Sequence, residues 1–183
     1  MRADAAINKR QLLDSAAQLL AEQGPQVSLR TIARYAGVGV ATLYRHFPTR
    51  ESLEEALVLD TMSQVADVAR WFREGEASRQ RWREFAERLG SLRIGALQDR
   101  FADDAPQLAE FASVDRRART LKEVEAALAH AHDAGLVRDD VLAVRFIMGI
   151  AVVARPLPGR AAEMVPDQAE WLMTTYLAGL APR

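Results

Sequence analysis

SLRTIARYAGVGVATLYRHFPTRESL, residues 28–53, is the stretch from which the rest of the chain is read. Ser28 is of a type that caps helix N-termini, Leu29, Ile32 and Ala33 follow at helical spacing, and Gly37 stands where the chain must reverse. A second short helix is predicted over 40–46. Val38, Leu43 and Phe47 turn one face towards Ile32, while Thr42, Tyr44, Arg45 and His46 lie on the other. Two helices joined by a turn of about three or four residues that contains glycine form a helix-turn-helix, whose second helix lies in the DNA major groove. The hydroxyls of Thr42 and Tyr44 suit phosphate oxygens. Arg45 suits a phosphate or the edge of a guanine.

Charge is concentrated in the same place. Residues 28–50 contain Arg30, Arg34, Arg45 and Arg50 and no acid, so this window carries +4 where the chain carries −1 and the remainder therefore −5. A chain so nearly neutral is no polyelectrolyte, and contact with nucleic acid must be local and geometrically arranged.

IARYAGVGVATLYRHFPTRESL, with LLDSAAQLLAEQG ahead of it, resembles the TetR family of bacterial transcriptional regulators. The match covers about the first quarter of the chain and rests on a long ungapped pattern, AGV-x-x-x-TLY-x-HF followed by a basic residue and Leu. The resemblance implies roles for individual residues. Tyr44 and His46 match positions that contact phosphates, Thr42 one at the groove edge, and Arg50 the basic residue that opens the fourth helix and meets the DNA backbone. Arg30 matches a position that can reach a base, and Arg45 is a second candidate for base reading. Two positions depart from the pattern. Gly39 stands where a capping Ser is common, and Ala41 replaces a frequent Gly.

Outward from this core, residues 1–5 read as a loose tail, and Leu12, Leu13, Ala16, Ala17, Leu19 and Leu20 give a helical stripe ended by Gly24 and Pro25. Its Leu12, Ala16 and Leu20 are expected to meet Ile32, Leu43 and Phe47 and close a three-helix domain. Thr49 caps a long fourth helix with Leu53, Leu57, Met62, Val65, Val68 and Phe72 inward as far as Gly75. The domain boundary is placed within it, giving a helix-turn-helix domain over 1–53 and a helical ligand-binding and dimerisation domain over 54–183. Further helices are predicted from Ser78, over 114–134, from a cap at Asp139 or Asp140, and over 167–180 with Leu172, Tyr176 and Leu180 inward. Short structure is expected around 106–111, and 155–166 reads as a loop. The fold class is all-α with about nine helices.

Other chemistries find little support. The chain has no cysteine and hence no disulfide, thiolate metal site or cysteine nucleophile. His130 and His132 are two apart on a helix and point to different faces, a poor metal pair. Asp103, Asp104, Asp139 and Asp140 read as loop and cap residues. Arg116, Arg117 and Arg119 read as a solvated helix start, with a second phosphate contact as the alternative. Phosphate loops, dinucleotide fingerprints and nucleophile elbows are missing. The expectation is a non-enzyme without cofactor or metal. With no apolar signal core and no run near the roughly 20 residues a membrane helix needs, a cytoplasmic location is expected.

For the second domain the expected pocket lining is Trp82, Phe85, Leu89, Phe101, Phe111, Leu121, Val124 and Met148, an apolar set suited to a hydrophobic or aromatic effector. Plain core is the competing reading of each. The apolar 141–153 helix needs cover on two faces. It is therefore expected to pair, with the last helix, against the same helices of a second subunit through Phe146, Ile150, Val153, Trp171 and Ala178. The family resemblance implies the same dimerisation. The whole reads as a homodimeric, ligand-responsive repressor of a palindromic DNA operator. Rival readings are an all-helical binding or enzymatic protein with a vestigial helix-turn-helix, and a ligand-independent DNA-binding dimer.

Overall fold

The computed structural model describes residues 2–24, 26–95, 114–157 and 159–182, and every regular element among them is α-helical. The nine helices are α1 (Arg2–Gln23), α2 (Leu29–Tyr35), α3 (Val40–His46), α4 (Arg50–Arg73), α5 (Arg79–Ser91), α6 (Val114–Asp133), α7 (Ala143–Val153), α8 (Arg160–Met164) and α9 (Gln168–Leu180). The chain is all-α. It divides into two compact units within α4, between Asp60 and Thr61. Phe101, Phe111 and the short structure expected around 106–111 lie outside the described residues.

In the N-terminal unit α1 packs on α2 and α3, and α2 on α3. Leu12, Ala16, Leu20, Ile32, Leu43 and Phe47 are all buried, as their spacing predicted. Helical backbone begins at Arg2, so residues 2–5 are not the loose tail that their polarity suggested. Alanines at 3, 5 and 6 are the best of helix formers and extend α1 beyond its apolar stripe.

In the C-terminal unit α7 is the central element, packed by α5, α6 and α9. An aromatic stack fills the core. Phe72 lies against Phe85 with ring centroids 4.8 Å apart, Trp82 against Phe146 at 5.2 Å, and Phe85 against Phe146 at 5.7 Å. Gly149 lets α9 approach α7, because a Cβ there would fall 2.1 Å from the Tyr176 hydroxyl oxygen. That hydroxyl donates to the Phe146 carbonyl at 3.3 Å, and burial pushes the phenol above its ordinary pKa, Arg138 pulling weakly the other way.

Two sequence expectations for the elements of this unit need correction. Neither Asp139 nor Asp140 caps α7, whose N-cap is Leu142 without a side-chain bond. Asp140 is instead turned back onto Arg138, with Nε to Oδ1 at 2.6 Å. Residues 155–166 are not loop throughout, since they contain the five-residue α8, none of it buried. On α9 Leu180 is buried and Tyr176 packs against the core as expected, Met173 is buried as well, and Leu172 is half-buried. No helix among the described residues is long and apolar enough to cross a membrane.

Candidate DNA-binding interface

The helix-turn-helix is built from local hydrogen bonds. Ser28 caps α2, its Oγ accepting from the Thr31 N–H at 3.1 Å. At the other end Gly37 takes φ +67°, where a side chain would be strained, and the chain reverses. The Val38 N–H then donates to the Ala33 carbonyl at 2.9 Å and the Gly37 N–H to the Arg34 carbonyl at 3.2 Å. This pair of crossed bonds is a Schellman closure. It satisfies carbonyls that would otherwise be left over and fixes the direction in which α3 departs.

α3 itself has little to hold it. Its N-cap is Gly39, which offers no side-chain bond. Leu43 is its one fully inward residue, followed by the buried Phe47 just past its end. Tyr44 is half-exposed, and Ala41 and Arg45 are exposed. Thr42 and His46 are half-buried at the edges of this outer face. Arg30, on α2, is exposed as well. Arg30, Arg34 and Arg45 make no ion pair among the described residues, and no acid lies between Ser28 and Arg50, so their charge is offered outward.

Arg50 sits differently. Thr49 and Ser52 form a reciprocal capping box at the start of α4, the Ser52 N–H donating to Thr49 Oγ1 at 3.1 Å and the Thr49 N–H to Ser52 Oγ at 3.2 Å. Arg50, the first residue of that helix, points back into the protein. Its Nη1 donates to the Val27 carbonyl at 2.6 Å and its Nε to Glu54 Oε1 at 2.8 Å. Glu54 is only 4% exposed and is the buried charged residue among those described. The Arg50 guanidinium thus ties the first turn of α4 to the segment that leads into α2. Glu54 was not singled out from the sequence, although Arg50 and Glu54 stand at the i, i+4 spacing of a helical ion pair.

The remaining site residues predicted from the sequence fall as follows. Trp82, Phe85, Leu89 and Val124 are buried in the C-terminal core, and Leu121 packs against it from a half-buried position. Leu121 also lines a groove of about 490 Å³ between α6 and the start of α7, with Leu128, Val141 and Leu142 among its apolar walls. Met148, expected in a pocket, is on an exposed face. Phe146 and Ile150, expected at a subunit interface, are fully buried inside their own chain, and Val153 packs against the same core. The helical phase explains this correction: the apolar row that α7 leaves uncovered is Val144, Met148 and Val152, spaced by four. On α9, Trp171 is 59% exposed and Ala178 is exposed. The Nε2 of His130 is 2.9 Å from the Gly75 carbonyl and the Nδ1 of His132 3.2 Å from that of Val137.

Comparison with known proteins agrees with this architecture. Residues 12–57 match the model of the bacterial regulatory proteins of the tetR family. A TetR transcription regulatory protein from Mycobacterium vanbaalenii is 29% identical with a TM-score of 0.67, covering 99% of both chains. A TetR transcriptional regulator from Streptomyces coelicolor is 27% identical with a TM-score of 0.69, covering 95% of this chain and 98% of its own. No curated protein matches significantly. With the matched residues spanning the capped α2, the glycine turn, α3 and the start of α4, the chain belongs to the TetR family of DNA-binding transcriptional regulators.

Proposed function

We propose that this regulator, a transcription factor rather than an enzyme, is a cytoplasmic homodimeric repressor that releases a palindromic operator when a small molecule binds its C-terminal domain. The observation that carries the dimer is the apolar row Val144, Met148 and Val152 on α7, with Val152 67% exposed, together with Trp171 on the adjacent α9. A row of this kind on a helix already covered on its other sides is costly to leave in water. A two-fold pairing of these helices buries it with itself. Two recognition helices would then address half-sites about 34–36 Å apart, one turn of the duplex.

In this reading residues 1–53 read DNA and 54–183 respond. Tyr44, His46 and Thr42 hold phosphates, and Arg45 and Arg30 read bases. Arg50 acts first on the protein, holding the frame in which α3 is presented. The effector is hydrophobic or aromatic. The groove between α6 and α7, mostly apolar with Glu125, His132, Arg138 and Asp139 also in its lining, has at about 490 Å³ the size of a small-molecule site.

The test is a titration of the purified chain against DNA from its own upstream region and a shuffled control at two salt concentrations, with light scattering for the oligomeric state. A dimer that prefers the native fragment, with steep salt dependence, supports the proposal. Val152→Arg should give a monomer with operator affinity lower by about 10²–10⁴, the advantage of two linked sites over one. A Val152→Arg protein that stays dimeric would place the interface elsewhere.

A further inference from the structure

Arg116 and Arg119 of the basic run at the start of α6 are exposed, as a solvated helix start would be, but they also border a concavity. This is an open cleft of about 330 Å³ between α4 and α6, to which α4 contributes Ser63, Ala66 and Arg70, and α6 Arg116, Arg119 and Lys122. Glu123 is the one carboxylate in the lining, and it is paired with Arg73 at 3.1 Å, Nη2 to Oε2. Four cations therefore face one spent acid. We propose that this cleft is a binding site for a small molecule carrying two or more anionic groups, phosphates or carboxylates.

Donor accounting supports the assignment. Arg116 and Lys122 have no acidic partner among the described residues. Arg70 spends Nη1 on Asp67 at 2.9 Å, and Arg119 spends Nε on the Asp115 carbonyl at 3.2 Å. Each of these two arginines keeps further N–H groups of its guanidinium fork, the geometry that grips phosphate and carboxylate in pairs. Several arginines elsewhere in the chain are answered by carboxylates, as Arg70 is by Asp67: Arg10 by Asp14 and Asp60, Arg83 by Glu87 and Glu170, Arg88 by Glu84, and Arg138 by Asp140. Like charges that outnumber the acids in a concavity repel one another, and field lines focused by the walls raise the local potential for an anion.

The cleft is also pre-formed. Thr120 Oγ1 donates to the Met62 carbonyl at 3.4 Å, and the Arg73–Glu123 pair forms a second tie between α4 and α6. Ala66 leaves room and Ser63 adds a hydroxyl donor. The volume lies at the low end for small-molecule sites, which suits a compact polyanion rather than a duplex backbone.

The test titrates the full chain by calorimetry with pyrophosphate and, separately, with citrate, in phosphate-free buffer at about 0.1 M salt so that long-range attraction is screened. The proposal expects saturable one-site binding of at least one probe, and the two arms separate a phosphate site from a carboxylate site. Arg116→Gln with Lys122→Gln should weaken that binding at least about tenfold while the melting temperature holds, whereas the exposed control Arg83→Gln should leave it unchanged. Ser63→Glu, which places an acid in the cleft, should weaken it too. Unsaturable heat, or equal affinity in the native chain and the double variant, would overturn the proposal. So would a double variant that loses operator DNA while binding pyrophosphate as before.

Discussion

Arg50→Ala separates two roles for the first residue of α4. Its partner Glu54 is 4% exposed, whereas the Arg50 side chain is 27% exposed, so the carboxylate is the end that cannot be repaid by water. Removing one member of a buried pair costs about 3–5 kcal/mol, and the partial exposure of the cation points to the lower end, about 3 kcal/mol. The Val27 carbonyl loses its Nη1 donor in the same step. The N-terminal unit should open more easily by that amount, which is about two powers of ten in the opening equilibrium. Hydrogen exchange of the Ile32, Ala33 and Leu43 amides, read by mass spectrometry, measures it. Replacing both charges, as Arg50→Met with Glu54→Leu, should restore most of the protection, because two apolar groups of similar size leave no charge stranded. With folding restored, that double variant should keep the salt slope of DNA binding. Loss of about one unit of slope would mark Arg50 as a phosphate contact instead. Protection falling by less than about threefold in Arg50→Ala would refute the clamp, since losing both the pair to a buried carboxylate and the bond to the Val27 carbonyl cannot be that cheap.

Gly39→Ser should stabilise α3 by about 0.5–1 kcal/mol, through a restored cap and a less free unfolded chain, and thermal unfolding would show it. Its φ of −60° suits any residue, and the nearest atom to a new Cβ is Thr42 Oγ1 at 3.8 Å. Gly149→Ala should cost about 1–3 kcal/mol by denaturant unfolding, the overlap with Tyr176 outweighing the roughly 1 kcal/mol gained in helix propensity. Tyr44→Phe should weaken binding to all DNA sequences alike, whereas Arg45→Ala should relax preference at one base pair by about 1–3 kcal/mol, both measured by competition among single-base operator variants.

The N-terminal unit was legible because its signals are local. A cap, a glycine that must take positive φ and an apolar period of three to four all act within one or two turns, and the observed α3 has the predicted bounds. Arg50 shows where local reading stops. Its i, i+4 partner Glu54 is plain in the sequence, but which way the guanidinium turns depends on the Val27 carbonyl, 23 residues away. The α7 row shows the same limit. A helix apolar on nearly every side has no hydrophobic face to phase it, so the sequence could not say that Phe146 and Ile150 point inward and Val144, Met148 and Val152 outward. Trp82 and Phe85, expected around an effector, are apolar and inward. They stack on Phe146 and on each other, and a stripe pattern does not distinguish such a core from a pocket.

These limits bear on how the recognition helix works. Seven residues are far too few to hold a helix in water, where about 12–15 are marginal. α3 has no side-chain cap and one fully buried residue of its own, so its shape and direction are inherited from its neighbours. The Schellman closure at Gly37 sets where it starts. Phe47 anchors where it ends, and the capping box at Thr49 with the Arg50–Glu54 pair fixes the turn that follows. DNA affinity should therefore follow the integrity of these flanking supports more closely than the helix propensity of α3. An alanine placed at exposed positions of α3 raises propensity yet removes side chains proposed to meet DNA. Arg50 is turned towards Val27 and Glu54, and a change there can still misplace every α3 side chain proposed to meet DNA.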